Sequence, residues 1–597
     1  MRHVKEGLEV IGHNILGFEF LIWNNILVNF GAPKLKLEQC TDTMALGYAM
    51  ALPGSLEAAS AAVGIKEGKD LKGHRVMLQL SKPRTNGKFY EYEDAPDKFK
   101  TLYVYCAQDV RVERELFKRV LPLSKEEKEI LELDFKINRR GVEVDIFSAL
   151  CAIELAELEK KRLDEKINKL TNGAVCMCSA VAQITDWVKS KGVEVPSLAK
   201  ADVVELLENE SLPSDVKNIL LLRQEAAKTS TAKIKAFILG SGSDGRIRGL
   251  FQFCGASTGR WAGRRAQLQN LPRAEISQEE IAQIFLDIDE NLGDAKLIGA
   301  AIRQKHSRIL SALSSTVRGY LRAGTRKDFV ACDFSSIEAR VLAWLAGEKK
   351  VLEIFKTHGK IYESAASDIY KTSLDEVTKE QRQTGKVAVL ALGFGGGVKA
   401  FQKMAKVYNV EIPDDQAESV KLAWREANPN IVSFWYALED AAIQAVINPG
   451  KKTYAGSISY LCKGSFLMCQ LPSKRVIFYP YPKVEQVNTP WGAIKSAVTY
   501  MGMDTYTHKW ERQTGYGGLF AENVTQAVAR CLLADAMLRL EKNNYPVVMH
   551  IHDEIVCEVP KNFGSINEME NLMSELPVWA QGLPIKAEGW RGERFRK

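Results

Sequence analysis

No stretch of this 597-residue chain reaches the roughly 20 consecutive apolar residues needed to span a bilayer. Its start, Met1-Arg2-His3-Val4-Lys5-Glu6, has neither the apolar stretch nor the cleavage site of a secretory signal. These two absences point to a cytoplasmic protein, in a bacterial cell or a phage-infected host, with no membrane partner. Cysteine is sparse, with 11 residues scattered along the chain, which excludes the dense disulfide frameworks of short secreted domains. The closest pair, Cys176-Met177-Cys178, has no second pair and no histidines at zinc spacing, so it reads as ordinary thiols. Low-complexity tracts and internal repeats are missing. Aspartate is absent from the first stretch of the chain, Asp42 being the first.

What is present is enough apolar residue, 46%, for several cores and therefore several domains. The net charge of +7 permits a polyanionic partner without proving one. A local excess says more. Arg246, Arg248, Arg260, Arg264, Arg265 and Arg273 follow one another with no acid between Asp244 and Glu275, a run suited to tracking phosphates. Residues 1–120 mix short strands (Leu8 to Ile11, Leu102 to Tyr105) with helical stretches. After Leu121-Pro122-Leu123, Ser124 reads as a helix N-cap with Glu127 as its capping-box partner. The pattern stays helical to about residue 237, with Leu163, Ile167 and Leu170 on one face. Lys228, Thr229, Ser230, Thr231, Lys233 and Lys235 could hold a sugar-phosphate backbone or form a solvated helix end. The polar helical segment from Ser277 to Lys327 suggests no task.

Two acids stand out. Asp328-Phe329-Val330-Ala331-Cys332-Asp333 reads as a buried strand ending in a carboxylate, followed by a turn and a helix with Glu338 in its first turn. Far downstream, Pro546 to Ile551 and Ile555 to Val559 read as a hairpin with His552-Asp553-Glu554 at its tip. A carboxylate on an apolar strand end is costly unless something positive meets it. Laid side by side, the two strands would let Asp333 and Asp553 share magnesium ions that stabilise an in-line phosphoryl displacement.

A third pattern fits the substrate of such a reaction. Arg382, Lys386, Leu390 and Phe394 are four residues apart, so each steps about 40° around a helix and the four form a stripe about 18 Å long. Cations lie at one end for phosphates and apolar groups at the other for sugar and base. Lys386 could also protonate a departing pyrophosphate. The glycines Gly393, Gly395, Gly396 and Gly397 follow the helix instead of opening one, which argues against a dinucleotide fold.

At these residues the sequence resembles family A DNA polymerases of the DNA polymerase I type, in the phage and prophage branch. Asp333 to Arg340 resembles motif A, Arg382-x3-Lys386-x7-Phe394-Gly395 motif B, and His552-Asp553-Glu554 motif C. Thr258-Gly259-Arg260 and Gln269-Asn270-Leu271-Pro272 match the upstream palm segment. The resemblance covers residues 121–597 and implies an α/β multidomain chain with the right-hand polymerase fold. Thumb is expected at 121–245, palm at 246–340 and 456–597, and fingers at 341–455. It implies primer extension on template DNA with dNTPs, two magnesium ions (manganese able to substitute) on Asp333, Asp553 and the Phe334 carbonyl, and Glu554 in support. Glu338 would exclude a ribose 2′-OH, while Arg382, Lys386 and Tyr362 would contact the triphosphate. Arg260, Asn270, Gln526 and His552 would touch the primer-template, with Lys228 and Lys235 on its backbone. A monomer is expected.

Departures from the family have consequences. Leu390 replaces the usual Phe or Tyr, which weakens stacking on the nucleotide and predicts discrimination against dideoxynucleotides. Gly359-Lys360-Ile361-Tyr362 stands where Asp and His are usual. The family's Asn-x3-Gln becomes Asn523-x2-Gln526, leaving Asn523 without a clear role. Residues 1–120 resemble an incomplete RNase H-like 3′–5′ exonuclease domain. His13-Asn14-x3-Phe18-Glu19 is similar to its second motif and Tyr105-x3-Asp109 to its third. The first motif, Asp-x-Glu, has no counterpart ahead of His13. Glu19 and Asp109 alone are too few for two metals, so a vestigial, inactive unit is expected, unless a separate polypeptide or an upstream start supplies the missing piece. Two other readings compete: a catalytically inactive, polymerase-derived DNA-binding protein, and a single-subunit RNA polymerase, which would lack the Glu338 gate.

Overall fold

The computed structural model describes residues 1–65, 70–228, 230–408, 410–489, 492–504 and 506–596, so Thr229 lies outside the described residues. At its centre four antiparallel strands run in the order Val547–Ile551, Glu554–Pro560, Lys327–Phe334, Ala587–Gly592. The inner strands read as continuous apolar runs because both faces are covered. Phe329, Val330, Ala331 and Cys332 are fully buried, under helices such as Ile566–Ser574. Asp333, Asp553, Glu554 and Glu588 collect at one end of the sheet, where the apolar runs stop, and Asp328 and Glu558 lie towards the other.

N-terminal to the sheet lie helices Lys125–Arg140, Ile146–Leu170, Val181–Ser190, Lys200–Glu208, Ser214–Ala226 and Ser230–Gly240. Ser124 caps the first of these, accepting from Glu127 N–H at 3.2 Å. The expected capping box is not completed, because the Glu127 carboxylate turns to Arg530 instead. Leu163 and Ile167 are buried, but Leu170, in the last turn, is exposed. The segment without an assigned task forms helices Gln278–Glu290, Ala295–Lys305 and Ile309–Ser315, which pack on Ile146–Leu170.

Between the first and second halves of the sheet the chain builds helices Ile337–Ala346, Lys349–Thr357, Ile361–Tyr370, Lys379–Leu392, Val398–Val407, Asp414–Ala427 and Pro429–Ile447. Two antiparallel sheets follow, spanning Lys452–Pro480 and Lys483–Thr514, and then the long helix Gly517–Lys542. Glycine sets two close approaches here. A Cβ on Gly385 would lie 2.2 Å from the Tyr362 carbonyl oxygen, and one on Gly518 would lie 2.1 Å from that of Phe394.

In the N-terminal unit Val10–Gly12 pairs in parallel with Cys40–Asp42. The strand expected at Leu102 to Tyr105 is instead part of helix Pro96–Phe117. Proline at the first helical position suits helix initiation, and Tyr105, Val112 and Leu116 are buried at helical spacing. Tertiary burial overrides the local strand preference of Leu-Tyr-Val-Tyr.

Candidate active site

The two acids meet through the backbone. Glu554 stands directly opposite Asp333, and the Phe334 N–H donates to the Asp553 carbonyl at 3.1 Å. Ile551 pairs with Glu554, so His552 and Asp553 form a two-residue turn, with His552 in the left-handed region at φ 55°. On the other side of Asp333 lies Glu588. Asp333 and Asp553 are half-buried; Glu554 is buried and accepts from the Trp590 indole N–H at 3.1 Å. Ser336, also left-handed at φ 51°, turns the chain into helix Ile337–Ala346 and puts Glu338 in its first turn.

Positive charge reaches this centre from Arg260. Its guanidinium lies 2.7 Å from Glu338 and 3.8 Å from Asp553. The loop behind it is held by two other arginines. Arg475 donates to the Thr258 carbonyl at 2.6 Å, and Arg530 donates to the Gly259 carbonyl at 3.0 Å. Arg530 is fully buried, paired with Glu127 and laid over Trp261. His552 reaches the Gln269 carbonyl at 3.3 Å, which sets it beside exposed Asn270. Phe334, Glu338, Arg260 and His552 thus stand around the two acids, with Asn270 next in the chain to the Gln269 that His552 reaches.

Gln526 donates to Glu522 at 3.0 Å, whereas Asn523 is buried and donates to the Tyr479 hydroxyl at 3.1 Å. The residue four before Gln526, the spacing of one helical turn, is therefore Glu522. Burial and nearby Glu338 push its carboxyl up, against the pull of Arg260. The motif spacing drew attention to Asn523 and missed this acid; helical spacing from Gln526 would have found it.

Helix Lys379–Leu392 carries Arg382, Lys386 and Leu390, capped by Thr378 with Gln381 completing a capping box. Phe394 lies two residues beyond its end, so the four-residue stripe is helical only over its first three members. Leu390 is exposed. The Lys386 ammonium sits 4.6 Å from the Tyr408 ring centroid, and burial, with Arg273 and Arg382 nearby, holds it below the ordinary lysine value. Arg382 Nε donates to Glu363 at 2.7 Å, and its guanidinium lies 5.5 Å from the Tyr362 ring centroid.

Several expected cations are engaged within the chain. Lys228 pairs with Glu275 at 2.7 Å and Lys235 with Glu157 at 3.2 Å. In the arginine run, Arg246 pairs with Glu558 and Arg248 with Asp244, while Arg265 and Arg273 stay exposed. In the N-terminal unit Tyr105, Asp109 and Glu113 follow one another at four-residue spacing on one helix. Burial and its bond to Asp109 push the Tyr105 hydroxyl up to about 12. Glu113 is pushed up to about 7 by burial, against its Thr43 bond and with Glu19, Asp42 and Asp109 adding. Asp42 is buried and accepts from the N–H groups of Asn14, Leu16, Met44 and Ala45.

Residues 179–454 match the model of DNA polymerase family A. A DNA polymerase of Bacillus phage SP02 is 39% identical over 563 residues, covering 92% of this chain and 84% of that one. The chain belongs to DNA polymerase family A. It is a DNA-directed DNA polymerase of a family that uses divalent metal ions. More distant similarity is local: DNA polymerase I of Aquifex aeolicus (strain VF5) is 32% identical over 106 residues, 18% of each chain. The polymerase domain of Pol1 from M. smegmatis, solved as a complex with DNA primer-template and dNTP, matches this polymerase with a TM-score of 0.61. That match is 15% identical and covers 98% of this chain and 86% of that one, a likeness of fold. Among the described residues no helix is long and apolar enough to cross a membrane.

Proposed function

We propose that this polymerase extends a primer 3′ end with dNTPs at one centre built on Asp333 and Asp553. The observation that carries this is the adjoining backbone of the two acids, with Phe334 N–H on the Asp553 carbonyl at 3.1 Å. Two carboxylates and the Phe334 carbonyl form a hard-oxygen donor set. Among the described residues no cluster of three or more metal-binding side chains stands ready-made. That donor set would suit magnesium. Asp333, Asp553 and the Phe334 carbonyl would hold two such ions, which would supply charge neutralisation for the in-line displacement of pyrophosphate.

The chain's own groups do the rest. Arg382 and Lys386 hold the triphosphate, and the lowered proton affinity of Lys386 suits it to donate to the leaving pyrophosphate. Tyr362 supports the Arg382 guanidinium from its ring face. Glu338, fixed by Arg260, walls the sugar site against a 2′-OH, while Leu390 and Phe394 face sugar and base. Arg260, Asn270, Gln526 and His552 contact the primer-template, and Glu554 braces the sheet end through Trp590. Lys228 and Lys235 serve the DNA backbone only by exchanging their carboxylate partners for phosphates. The hand is divided as the motifs suggest: thumb 121–245, palm 246–340 and 456–597, fingers 341–455. Residues 1–120 do not by themselves hold a metal pair, because the motif residues supply only Glu19 and Asp109, and Asp42 is committed to backbone N–H groups.

Primer extension with dNTPs or rNTPs tests the reading. Extension should require dNTPs, and Glu338→Ala should admit rNTPs. Equal use of both by the parent chain would contradict it. A mismatched primer should persist with magnesium; excision abolished by Asp109→Ala would mean that residues 1–120 do hold a working metal pair.

A further inference from the structure

Helix Ile361–Tyr370 presents an acid that the motifs leave without a role. Glu363 Oε1 accepts from Arg382 Nε at 2.7 Å, and the neighbouring Tyr362 ring lies under the same guanidinium. The geometry is set by the backbone. Helices Ile361–Tyr370 and Lys379–Leu392 touch where Gly385 meets the Tyr362 carbonyl, and no side chain fits between them. Glu363, the next residue, is thereby held within reach of Arg382, one turn before Gly385. Glu363 sits in the first turn of its helix, where the amide dipoles favour a carboxylate. Burial raises its carboxyl, but the Arg382 bond, its own backbone amide and Lys360 outweigh that and hold it below the ordinary value. It is therefore charged at neutral pH.

Resting on the reading that Arg382 binds the triphosphate, we propose that Glu363 is a positioning residue, a resident counter-ion that occupies Arg382 while the triphosphate site is empty. Arg382 remains 45% exposed in this pair, so incoming phosphates can reach it. A triphosphate brings several charges against the single charge of Glu363, and phosphate oxygens suit the guanidinium fork. The two anions repel each other across one cation. Nucleotide binding thus proceeds by exchange, and departure of pyrophosphate is helped by the return of Glu363. The residue weakens nucleotide affinity and hastens product release. A residue that merely oriented Arg382 would have the opposite effect on affinity when neutralised.

Single-turnover extension on a primed template, with the full chain, separates nucleotide affinity from the maximal rate. Glu363→Gln should tighten the dNTP dissociation constant by roughly 5–20-fold, as expected for removing one nearby like charge, with the maximal rate changed by less than about twofold. Pyrophosphate affinity in the reverse reaction should tighten in the same direction, and Glu363→Asp should stay near the parent. Arg382→Ala should weaken dNTP binding by roughly tenfold or more, and adding Glu363→Gln to it should tighten binding by less than it does in the parent, because the competition for Arg382 is gone. If Arg382→Ala weakens binding while Glu363→Gln leaves it unchanged or weaker, the counter-ion role fails and the triphosphate reading stands. If Arg382→Ala leaves binding unchanged, the triphosphate reading fails and the proposal with it. Glu363→Ala gives a second variant with the same expected direction.

Discussion

Replacing Arg530 with methionine removes the cation that holds the Arg260 loop from beneath. Arg530 is 1% exposed, pairs through both terminal nitrogens with Glu127, and donates through Nε to the Gly259 carbonyl at 3.0 Å. Methionine fills much of the volume but leaves the Glu127 carboxylate facing an apolar surround of Phe253 and Trp261. Removing one partner of a buried ion pair costs about 3–5 kcal/mol, whereas replacing both with apolar residues is often close to neutral. Arg530→Met should therefore lower the urea midpoint by an amount equivalent to about 3–5 kcal/mol at unchanged slope. The double variant Glu127→Leu with Arg530→Met should recover most of that loss. The pair also has a pH signature. Burial raises the Glu127 carboxyl, and Arg530 and Arg475 outweigh it, so its folded pKa lies below the unfolded one. Its contribution is present above the unfolded carboxyl pKa and disappears as pH falls through the depressed folded value. Arg530→Met should flatten that acid limb. A single variant within about 1 kcal/mol of the parent would refute the reasoning.

His550 makes a second pH-dependent case. Burial, with Arg530 adding, lowers its pKa to about 3, and it stacks 4.1 Å from the Phe251 ring. The unfolded chain protonates it first, so stability should fall on acidification from about pH 6.5 towards 3, by about 1.4 kcal/mol per pH unit; His550→Phe should remove that slope in urea titrations. Gly385→Ala would place a Cβ 2.2 Å from the Tyr362 carbonyl oxygen. It should cost about 1–3 kcal/mol by overpacking and weaken dNTP binding; an unchanged melting temperature together with unchanged affinity would count against the helix contact.

The sheet end was legible because a carboxylate closing an apolar run is costly until a cation meets it, and the structure brings Asp333 and Asp553 to adjoining positions as those runs suggest. The helix with Arg382 and Lys386 was legible from its four-residue spacing. What stayed hidden depends on partners distant in sequence. Glu127 reads locally as a capping-box residue, yet its carboxylate goes to Arg530. Glu363 and Glu522 look like ordinary helix-surface acids until Arg382 and Gln526 come beside them. Leu102 to Tyr105 favours a strand locally, but the buried stripe continuing to Leu116 makes it helical. The whole arginine run reads as a phosphate track, yet Arg246 and Arg248 pair with acids of the chain.

The most direct measurement is single-turnover primer extension with magnesium by Asp333→Ala and Asp553→Ala, with primer-template affinity measured in parallel. Each variant should bind DNA within a few-fold of the parent yet extend at least about 1,000-fold more slowly, since removing a group that acts only in the transition state lowers the rate without lowering binding. Extension by Asp553→Ala at a rate near the parent's would contradict a centre built on these two carboxylates.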